Sequence, residues 1–324
     1  MKHQFSIHVL FAAALCASAA SVAAEGAKSV APHARTIGVV SISSIIPADQ
    51  LVSGTNFLVR AGYRVKVAPN VPGPKVVSAA ERARLLEKFW LDPEIDLLVF
   101  SRGGQGAADV VPLLDWDSLR KRPNMPVVGF SDVTVLLNAM LAKGVGHPLS
   151  GPTLSYADRL TPAARDWFFS ALSGAELPPI NVEPLCGAIP ERGVRGLPMG
   201  GHLERLYRLS RMGLMPSAAG RIVFIECTAK YPPQKVRQCL DGLLDGGFLN
   251  GAAAVVFCNF QHKGDDRAAV DAIVREFAAR LGCPSFKGFP YGHVPQIRLI
   301  DFRREFAISP SGAQLTPCSI SLAL

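Results

Sequence analysis

The sequence places a serine where a buried strand ends and a helix begins. Residues 126–130 (PVVGF) are apolar, as at the end of a strand, and apolar residues then recur at helical spacing over residues 133–141. Ser131 therefore lies on a sharp strand-to-helix turn. Its hydroxyl can cap the helix, worth about 1 kcal/mol, or act as a nucleophile if a base lies beside it. Taken alone, capping explains Ser131 better, because residues 129–133 (GFSDV) lack the Gly-x-Ser-x-Gly signature of lipases.

A base for such a nucleophile has to come from a distant histidine. Two of the seven histidines lie in the first 24 residues, and the others are His33, His147, His202, His262 and His293. His202 follows two glycines at a predicted helix start, and His293 ends the loop GFPYGH. We predict these two as candidate bases, since imidazole can take a proton near neutral pH, and we place the other three at the surface.

Two further strand ends carry residues that could take part in catalysis or ligand binding. Residues 102–107 (RGGQGA) follow the apolar strand IDLLVF, and such glycines let backbone N–H groups hold an anion or oxyanion, although a tight turn explains them equally well. The loop lacks the Lys-Ser/Thr ending of a phosphate-binding P-loop. Glu226 ends the apolar run RIVFIE, where burial of a carboxylate requires a partner. It can pair with a cation, lie at a solvated strand end, or orient a histidine.

The elements that must position these residues alternate between strands and helices. Strands are predicted over residues 36–43, 63–68, 95–100, 125–130, 221–226, 252–259, 297–300 and 305–308. Helices are predicted over residues 48–61, 79–91, 107–114, 132–143, 161–173, 201–211, 233–245 and 267–281. Strands that are apolar on both faces and alternate with amphipathic helices indicate a mostly parallel sheet, which builds its site at the strand carboxyl ends.

The chain divides into two α/β domains in this interpretation. Residues 36–155 form an N-terminal domain with a flavodoxin- or Rossmann-like sheet, and residues 196–324 form a C-terminal α/β domain with a mixed or barrel-like sheet. The proline-punctuated segment 156–195 is predicted as the linker. Because Ser131 comes from the first domain and Glu226 and His293 from the second, the site is expected between them.

The amino terminus resembles a secretory signal peptide. Residues 1–24 contain Lys2, an apolar stretch and then small residues up to Ala24, which predicts cleavage there, followed by a tail over residues 25–35. We therefore expect a soluble, periplasmic protein without membrane insertion after signal removal. Six of the seven cysteines lie beyond this segment, which permits one or two disulfides.

Composition and charge exclude other classes of function. The net charge of +8 is dispersed along the chain, without the basic runs and interleaved aromatic residues that favour nucleic-acid binding. No cysteine spacing resembles a zinc site, and we predict neither a metal nor another cofactor. Attraction to an anionic polymer or peptide is compatible with the charge.

Several stretches together resemble the LD-carboxypeptidase family, serine peptidases that trim murein tetrapeptides, with microcin self-immunity peptidases among the relatives. The matching stretches, in family order, are DPEIDLLVFSRGGQGAADVVPLLDWDSL, PVVGFSDVTVLL, SGPTL, GGHLERLYRL, IVFIE and FPYGHVPQIRL. They fall within residues 36–310, which is most of the chain after the predicted signal.

The resemblance implies a role for each candidate residue. Ser131 would be the nucleophile, His293 the general base and Glu226 its orienting partner, while the backbone N–H groups of Gly104 and Asp132 would form the oxyanion hole. Beyond the resemblance, we expect Arg102 to bind a substrate carboxylate, and Gln105 and His202 to lie at the substrate-binding pocket. The family uses no metal and is often dimeric, so the implied partners are a murein peptide and a second copy of the chain.

Three positions depart from the family pattern. Gln105 stands where the family usually has Tyr, His202 where it has Asn, and Cys227 where it has Asp after the glutamate. These departures bear on the substrate more than on the reaction. Two alternatives to murein trimming stay open: an exported solute-binding or catalytically silent relative, and a peptidase acting on a peptide-nucleotide of the microcin type.

Overall fold

The computed structural model describes residues 35–73 and 75–319. The predicted signal peptide and the tail up to residue 34 lie outside the described residues. The strands, in chain order, are β1 (Thr36–Val40), β2 (Arg64–Val67), β3 (Leu97–Phe100), β4 (Pro126–Gly129), β5 (His147–Ser150), β6 (Ile180–Asn181), β7 (Glu183–Cys186), β8 (Val194–Gly196), β9 (Pro198–His202), β10 (Ile222–Cys227), β11 (Ala254–Phe260), β12 (Ser285–Lys287), β13 (Ile300–Asp301), β14 (Phe306–Ile308) and β15 (Gln314–Pro317). The helices are α1 (Ala48–Arg60), α2 (Ala79–Leu91), α3 (Ala107–Val110), α4 (Trp116–Leu119), α5 (Thr134–Lys143), α6 (Pro162–Leu172), α7 (Leu203–Ser210), α8 (Pro233–Asp245) and α9 (Gly264–Ala279).

The amino-terminal half builds a six-stranded sheet in the order β13-β5-β4-β3-β1-β2. The strands β1 to β5 run parallel, and β13 joins the edge antiparallel to β5. Strands β1 and β3 are buried along their whole length, as expected where helices cover both faces of a parallel sheet. The chain order reverses between β1 and β3, so the loops after these strands open a crevice at their carboxyl ends.

The carboxy-terminal half builds a five-stranded sheet in the order β7-β12-β11-β10-β9. It is parallel except for β7, and a small antiparallel sheet (β6-β15-β14-β8) lies beside it. The prediction of a two-domain α/β fold with mostly parallel sheets is confirmed. Each half has a buried apolar cluster, and the first cluster also takes in residues of the second half, such as Phe224 and Phe306.

Strand β9 is a correction to the predicted helix over residues 201–211. The strand continues to His202, and α7 begins only at Leu203. Gly200 and Gly201 have φ values of +123° and +138°, and a Cβ on Gly200 would lie 2.0 Å from the carbonyl oxygen of Phe224. The two glycines therefore allow a close strand approach that the apolar pattern of α7 does not indicate.

The segment predicted as a linker contributes a helix and strands of two of the three sheets. Residues 156–195 contain α6 and the strands β6 and β7, and β8 begins within them. Helix α6 packs against α1, with the rings of Phe57 and Phe169 5.1 Å apart.

The six cysteines of the described residues are free, although the oxidising compartment predicted for the protein would permit disulfides. Burial raises the pKa of the Cys227 thiol far above its ordinary value, which keeps it protonated. None of the helices in the described ranges is long and apolar enough to cross a membrane.

Candidate active site

Ser131 occupies a strained turn directly after β4. It has a φ of +60° and is the one non-glycine residue with a positive φ among the described residues. Such a conformation costs of order 1 kcal/mol and is concentrated at functional sites. A Cβ on Gly129 would lie 2.6 Å from the Val133 side chain, so the turn needs a glycine there. The helix-cap interpretation does not hold, because neither the 3₁₀ turn Ser131–Val133 nor α5 has a side-chain cap bond.

The Ser131 hydroxyl instead contacts the imidazole of His293. Ser131 Oγ lies 2.9 Å from His293 Nε2, and His293 Nδ1 lies 3.0 Å from Glu226 Oε2. Glu226 is fully buried at the end of β10, whereas the His293 side chain keeps 21% of its surface exposed. Gly292 has a φ of +116°, and a Cβ there would lie 2.9 Å from Glu226 Oε2, so this glycine lets the histidine loop approach the carboxylate. The three side chains have the order of hydroxyl, imidazole and carboxylate that activates a serine.

The glycine-rich loop after β3 packs directly against Ser131. A Cβ on Gly103 would lie 2.9 Å from Ser131 Cβ and 3.1 Å from its Oγ. Gly104, with a φ of +113°, lies at the cavity wall, and Asp132 lies in the first helical turn, where backbone N–H groups lack intrahelical acceptors. Gly104 thus lines the same cavity as Ser131, and Asp132 follows the serine directly in the chain.

The side chain of Asp132 ties three segments together beneath this turn. Its Oδ2 accepts hydrogen bonds from Ser43 Oγ at 2.7 Å and from the backbone N–H of Ala107 at 2.9 Å. Arg205 Nε lies 2.7 Å from the other carboxylate oxygen, and both side chains are buried. Burial raises the pKa of Asp132, while the Arg205 charge opposes the rise. The carboxylate therefore joins the loop after β1, the glycine loop and α7.

A cavity of about 280 Å³ opens in front of Ser131. Arg102, Arg159 and Lys230 line it with exposed side chains, and within residues 35–73 and 75–319 no acidic residue lines it. Arg102 also donates to the carbonyl oxygen of Ile45 at 2.9 Å. The charge of the cavity suits an anionic ligand.

The two other predicted substrate-contacting residues differ in their placement. His202 lines the cavity, is buried, and has its ring 5.8 Å from that of His293. Its Nδ1 has no hydrogen-bond partner within the described ranges, and burial lowers its pKa. Gln105 is exposed and does not line the cavity; its backbone N–H donates to Ser44 Oγ at 3.2 Å.

Sequence reasoning missed several residues around the cavity. These are Tyr156, Arg159, Arg205, Lys230 and Tyr231. Lys230 and Tyr231 lie in the loop just after Glu226, at the carboxyl end of β10, so their position in the sequence indicates proximity to the site. Arg205 gave no signal, because its spacing on α7 resembles that of an ordinary surface cation.

One of the three histidines placed at the surface is buried. His262 is only 3% exposed, and its Nε2 lies 2.7 Å from the carbonyl oxygen of Tyr231. The polar neighbours of His262 in the sequence favoured an exposed loop, but a tertiary hydrogen bond holds it inside. His147 is half-buried, with Nε2 2.6 Å from Asp301 Oδ1. His33 lies outside the described residues.

No group of three or more His, Cys, Asp or Glu side chains in the part of the chain that the structure describes is arranged to hold a metal ion.

Two family models match the chain along most of both halves. The LD-carboxypeptidase N-terminal domain matches residues 37–149, and the LD-carboxypeptidase C-terminal domain matches residues 195–307. The chain therefore belongs to the LD-carboxypeptidase family.

Individual relatives agree with this assignment. The murein tetrapeptide carboxypeptidase of Pseudomonas aeruginosa is 29% identical over 221 residues, which cover 64% of this chain and 70% of that protein. The crystal structure of muramoyltetrapeptide carboxypeptidase from Oxalobacter formigenes has a TM-score of 0.74 at 23% identity and covers 86% of this chain and 97% of that one. An MccF-like protein from Bacillus anthracis has a TM-score of 0.75 at 18% identity and covers 88% and 97%. At these identities the two structures support the fold.

Proposed function

We propose that this protein is an exported serine LD-carboxypeptidase that removes the terminal D-alanine from murein tetrapeptides during peptidoglycan turnover. The observation that carries the proposal is the contact of the strained Ser131 with His293, which in turn contacts the buried Glu226. The relative from P. aeruginosa, whose name states this substrate, supports the choice of murein.

In the proposed mechanism, Ser131 Oγ attacks the carbonyl carbon between the diamino acid and the terminal D-alanine. His293 Nε2 takes the hydroxyl proton, and Glu226 holds the Nδ1–H and stabilises the imidazolium. The oxyanion is held by the backbone N–H groups of Gly104 and Asp132, each worth roughly 3–4 kcal/mol in comparable sites.

Collapse of the tetrahedral intermediate breaks the peptide bond and leaves an acyl-enzyme on Ser131. The imidazolium of His293 gives its proton to the departing amine of D-alanine. A water molecule, deprotonated by the same imidazole, then attacks the ester and releases the shortened peptide.

The cations of the cavity suit the carboxylates of this substrate. A murein stem carries a terminal carboxylate and further carboxylates along its length, and Arg102, Arg159 and Lys230 face the cavity without acidic neighbours in its lining. We assign Arg102 to a substrate carboxylate and His202 to a polar substrate group near the reacting bond. The side chain of Gln105 is exposed, and its contribution to the site is the hydrogen bond from its backbone N–H to Ser44 Oγ.

The location and assembly belong to the same proposal. In this proposal, residues 1–24 direct export to the periplasm. The serine-bearing domain is residues 36–155, and the domain that carries the glutamate and the histidine is residues 196–324. Residues 156–195 join the two domains. The murein peptide is the substrate partner, a homodimer is the assembly, and no cofactor enters the mechanism.

A second candidate function is cleavage of a peptide-nucleotide of the microcin type. The aromatic side chains of Tyr156 and Tyr231 line the cavity and offer surfaces on which a base could stack. The similarity to an MccF-like fold is compatible with this reading.

The test is mass spectrometry of residues 25–324 with a diaminopimelate-containing murein tetrapeptide, wild type beside Ser131→Ala. We expect loss of one alanine in the wild type only. Unchanged hydrolysis in Ser131→Ala would overturn the serine mechanism. Absence of hydrolysis in the wild type, with cleavage of an aminoacyl sulfamoyl nucleoside, would favour the second function. Ligand retention without turnover of either compound would favour a binding protein.

A further inference from the structure

A second and larger cavity lies at the carboxyl ends of β11 and β12, beside α9. Its volume is about 440 Å³, and its lining contains four cationic residues, Lys263, Arg267, Arg275 and Lys287, against one acidic residue, Asp271. A concave surface lined by one sign of charge concentrates ligands of the opposite sign.

Two of these cations lack a carboxylate partner in the part of the chain that the structure describes. Lys263 and Arg275 form no ion pair among the described residues. Arg267 Nε lies 3.9 Å from Asp271, at the limit of an ion pair, and Lys287 Nζ lies 2.9 Å from Glu183 at an exposed edge. The excess positive charge therefore faces the cavity.

A buried imidazole at the same cavity supplies a directional contact. His262 is 3% exposed and lines the cavity, and its Nδ1 is buried without a hydrogen-bond partner in the described part of the chain. Its Nε2 lies 2.7 Å from the carbonyl oxygen of Tyr231, which can only accept, so the proton is on Nε2. In the neutral ring Nδ1 is then an unsatisfied acceptor at the cavity wall, which the N–H of a bound peptide would satisfy.

The remaining polar lining also suits a peptide. Asn259 brings a side-chain amide to the cavity, which can pair with both the N–H and C=O groups of a peptide backbone. A ligand that offers carboxylates to the cations and amide N–H groups to His262 matches this lining better than a small inorganic anion does.

Two hydrogen bonds link residues of this cavity to residues of the candidate active site. His262 contacts the carbonyl oxygen of Tyr231, and the Gln261 amide donates to the carbonyl oxygen of His293. Tyr231 and His293 both line the first cavity. A ligand in the second cavity would therefore lie beside the residues that hold the catalytic loop.

We propose that this basic cavity is a second, non-catalytic binding site for a carboxylate-bearing peptide. The proposal rests on the proposed function, because murein presents several such peptides along one strand. A neighbouring stem held in the second cavity would keep polymeric murein bound while another stem is cut.

The experiment uses the Ser131→Ala chain, so that binding is measured without turnover. We compare the added substitutions R267E/R275E with a matched control, K88E/K121E, which reverses two exposed cations that line neither cavity. The probes are purified polymeric murein, in a sedimentation assay, and the free tripeptide stem that lacks the terminal alanine, in calorimetry.

We expect R267E/R275E to bind polymeric murein roughly tenfold more weakly than K88E/K121E does. Calorimetry should give two tripeptides per chain in Ser131→Ala and one after R267E/R275E. With Ser131 present, R267E/R275E should hydrolyse the soluble tetrapeptide as the wild type does. Equal murein binding by the two charge-reversed variants would overturn the proposal.

Failure of the second site and failure of the proposed function give different results. Tetrapeptide hydrolysis by the wild type with unaltered murein binding in R267E/R275E rejects only the second site. Weakened murein binding in R267E/R275E, without any hydrolysis by the wild type, supports the second site and rejects the proposed activity.

Discussion

Arg205 and Asp132 form a buried ion pair that joins the two halves of the protein at the candidate oxyanion hole. Arg205 Nε lies 2.7 Å from Asp132 Oδ1, and Arg205 Nη2 donates to the carbonyl oxygen of Gly104 at 2.9 Å. One guanidinium on α7 thus contacts both residues whose backbone N–H groups we assign to the oxyanion. Buried ion pairs contribute little net stability, so the value of this pair lies in the geometry that it fixes.

We predict that Arg205→Met lowers kcat about tenfold to a hundredfold with a smaller effect on KM. Misplacement of the oxyanion donors raises the barrier to the chemical step more than it weakens substrate binding. Steady-state kinetics on the soluble tetrapeptide measure the split. Arg205→Lys should recover part of the lost kcat, because it keeps the charge without the fork. A loss confined to thermal stability, with kcat of the folded protein unchanged, would contradict the positioning role.

Glu226→Gln should lower kcat by roughly 10³–10⁴-fold, because an amide does not hold the Nδ1–H tautomer of His293 or stabilise the imidazolium. Its stability should not fall, since the substitution removes a fully buried charge whose Oε1 has no partner among the described residues. Urea unfolding beside the kinetics measures both effects. Wild-type kcat in this variant would reject Glu226 as the orienting carboxylate.

Gly103→Ala should lower activity by at least about tenfold, because its Cβ would lie 2.9 Å from Ser131 Cβ and displace the serine from the imidazole. The matched control is Gly282→Ala, where an added Cβ meets no atom within 4 Å. We expect the control to keep wild-type activity. Equal kinetics in the two variants, measured on the same tetrapeptide, would show that the close contact is not needed.

His202 should make the protein less stable as the pH falls below about 6.5. Burial lowers the pKa of His202 in the folded state, with the Glu226 charge opposing and the His293 and Arg205 charges adding to the effect. As the pH falls through about 6.5, the unfolded chain therefore binds a proton that the folded chain does not bind. The free energy of unfolding is at its full value above that pH and falls below it, by at most about 1.4 kcal/mol per pH unit.

The measurement is urea unfolding at pH 7.5 and pH 5.5 for the wild type and His202→Asn. The drop in the free energy of unfolding between the two pH values should be smaller in the variant, which lacks the titrating ring. An equal drop in both proteins would assign the pH dependence to other groups.

The sequence by itself determined the class of fold and the residue types of the site. Helices α2 and α8 begin and end where the periodicity predicted, because their apolar residues repeat at helical spacing and are buried. Ser131 was evident as the residue at a strand-to-helix turn, since a continuous apolar run and a helical pattern meet there. These are local signals, carried by neighbours along the chain.

Tertiary structure decided which of these residues meet and in what geometry. His293 is 162 residues from Ser131 and 67 from Glu226 in the chain, so no local pattern could choose between His202 and His293 as the base, and the resemblance to a family had to supply the choice. The burial of His262, the extension of β9 to His202 and the contact of Arg205 with Asp132 likewise depend on partners far along the chain. Hydrogen bonds and close packing between segments far apart in the chain determine these features, and the periodicity of the sequence does not predict such contacts.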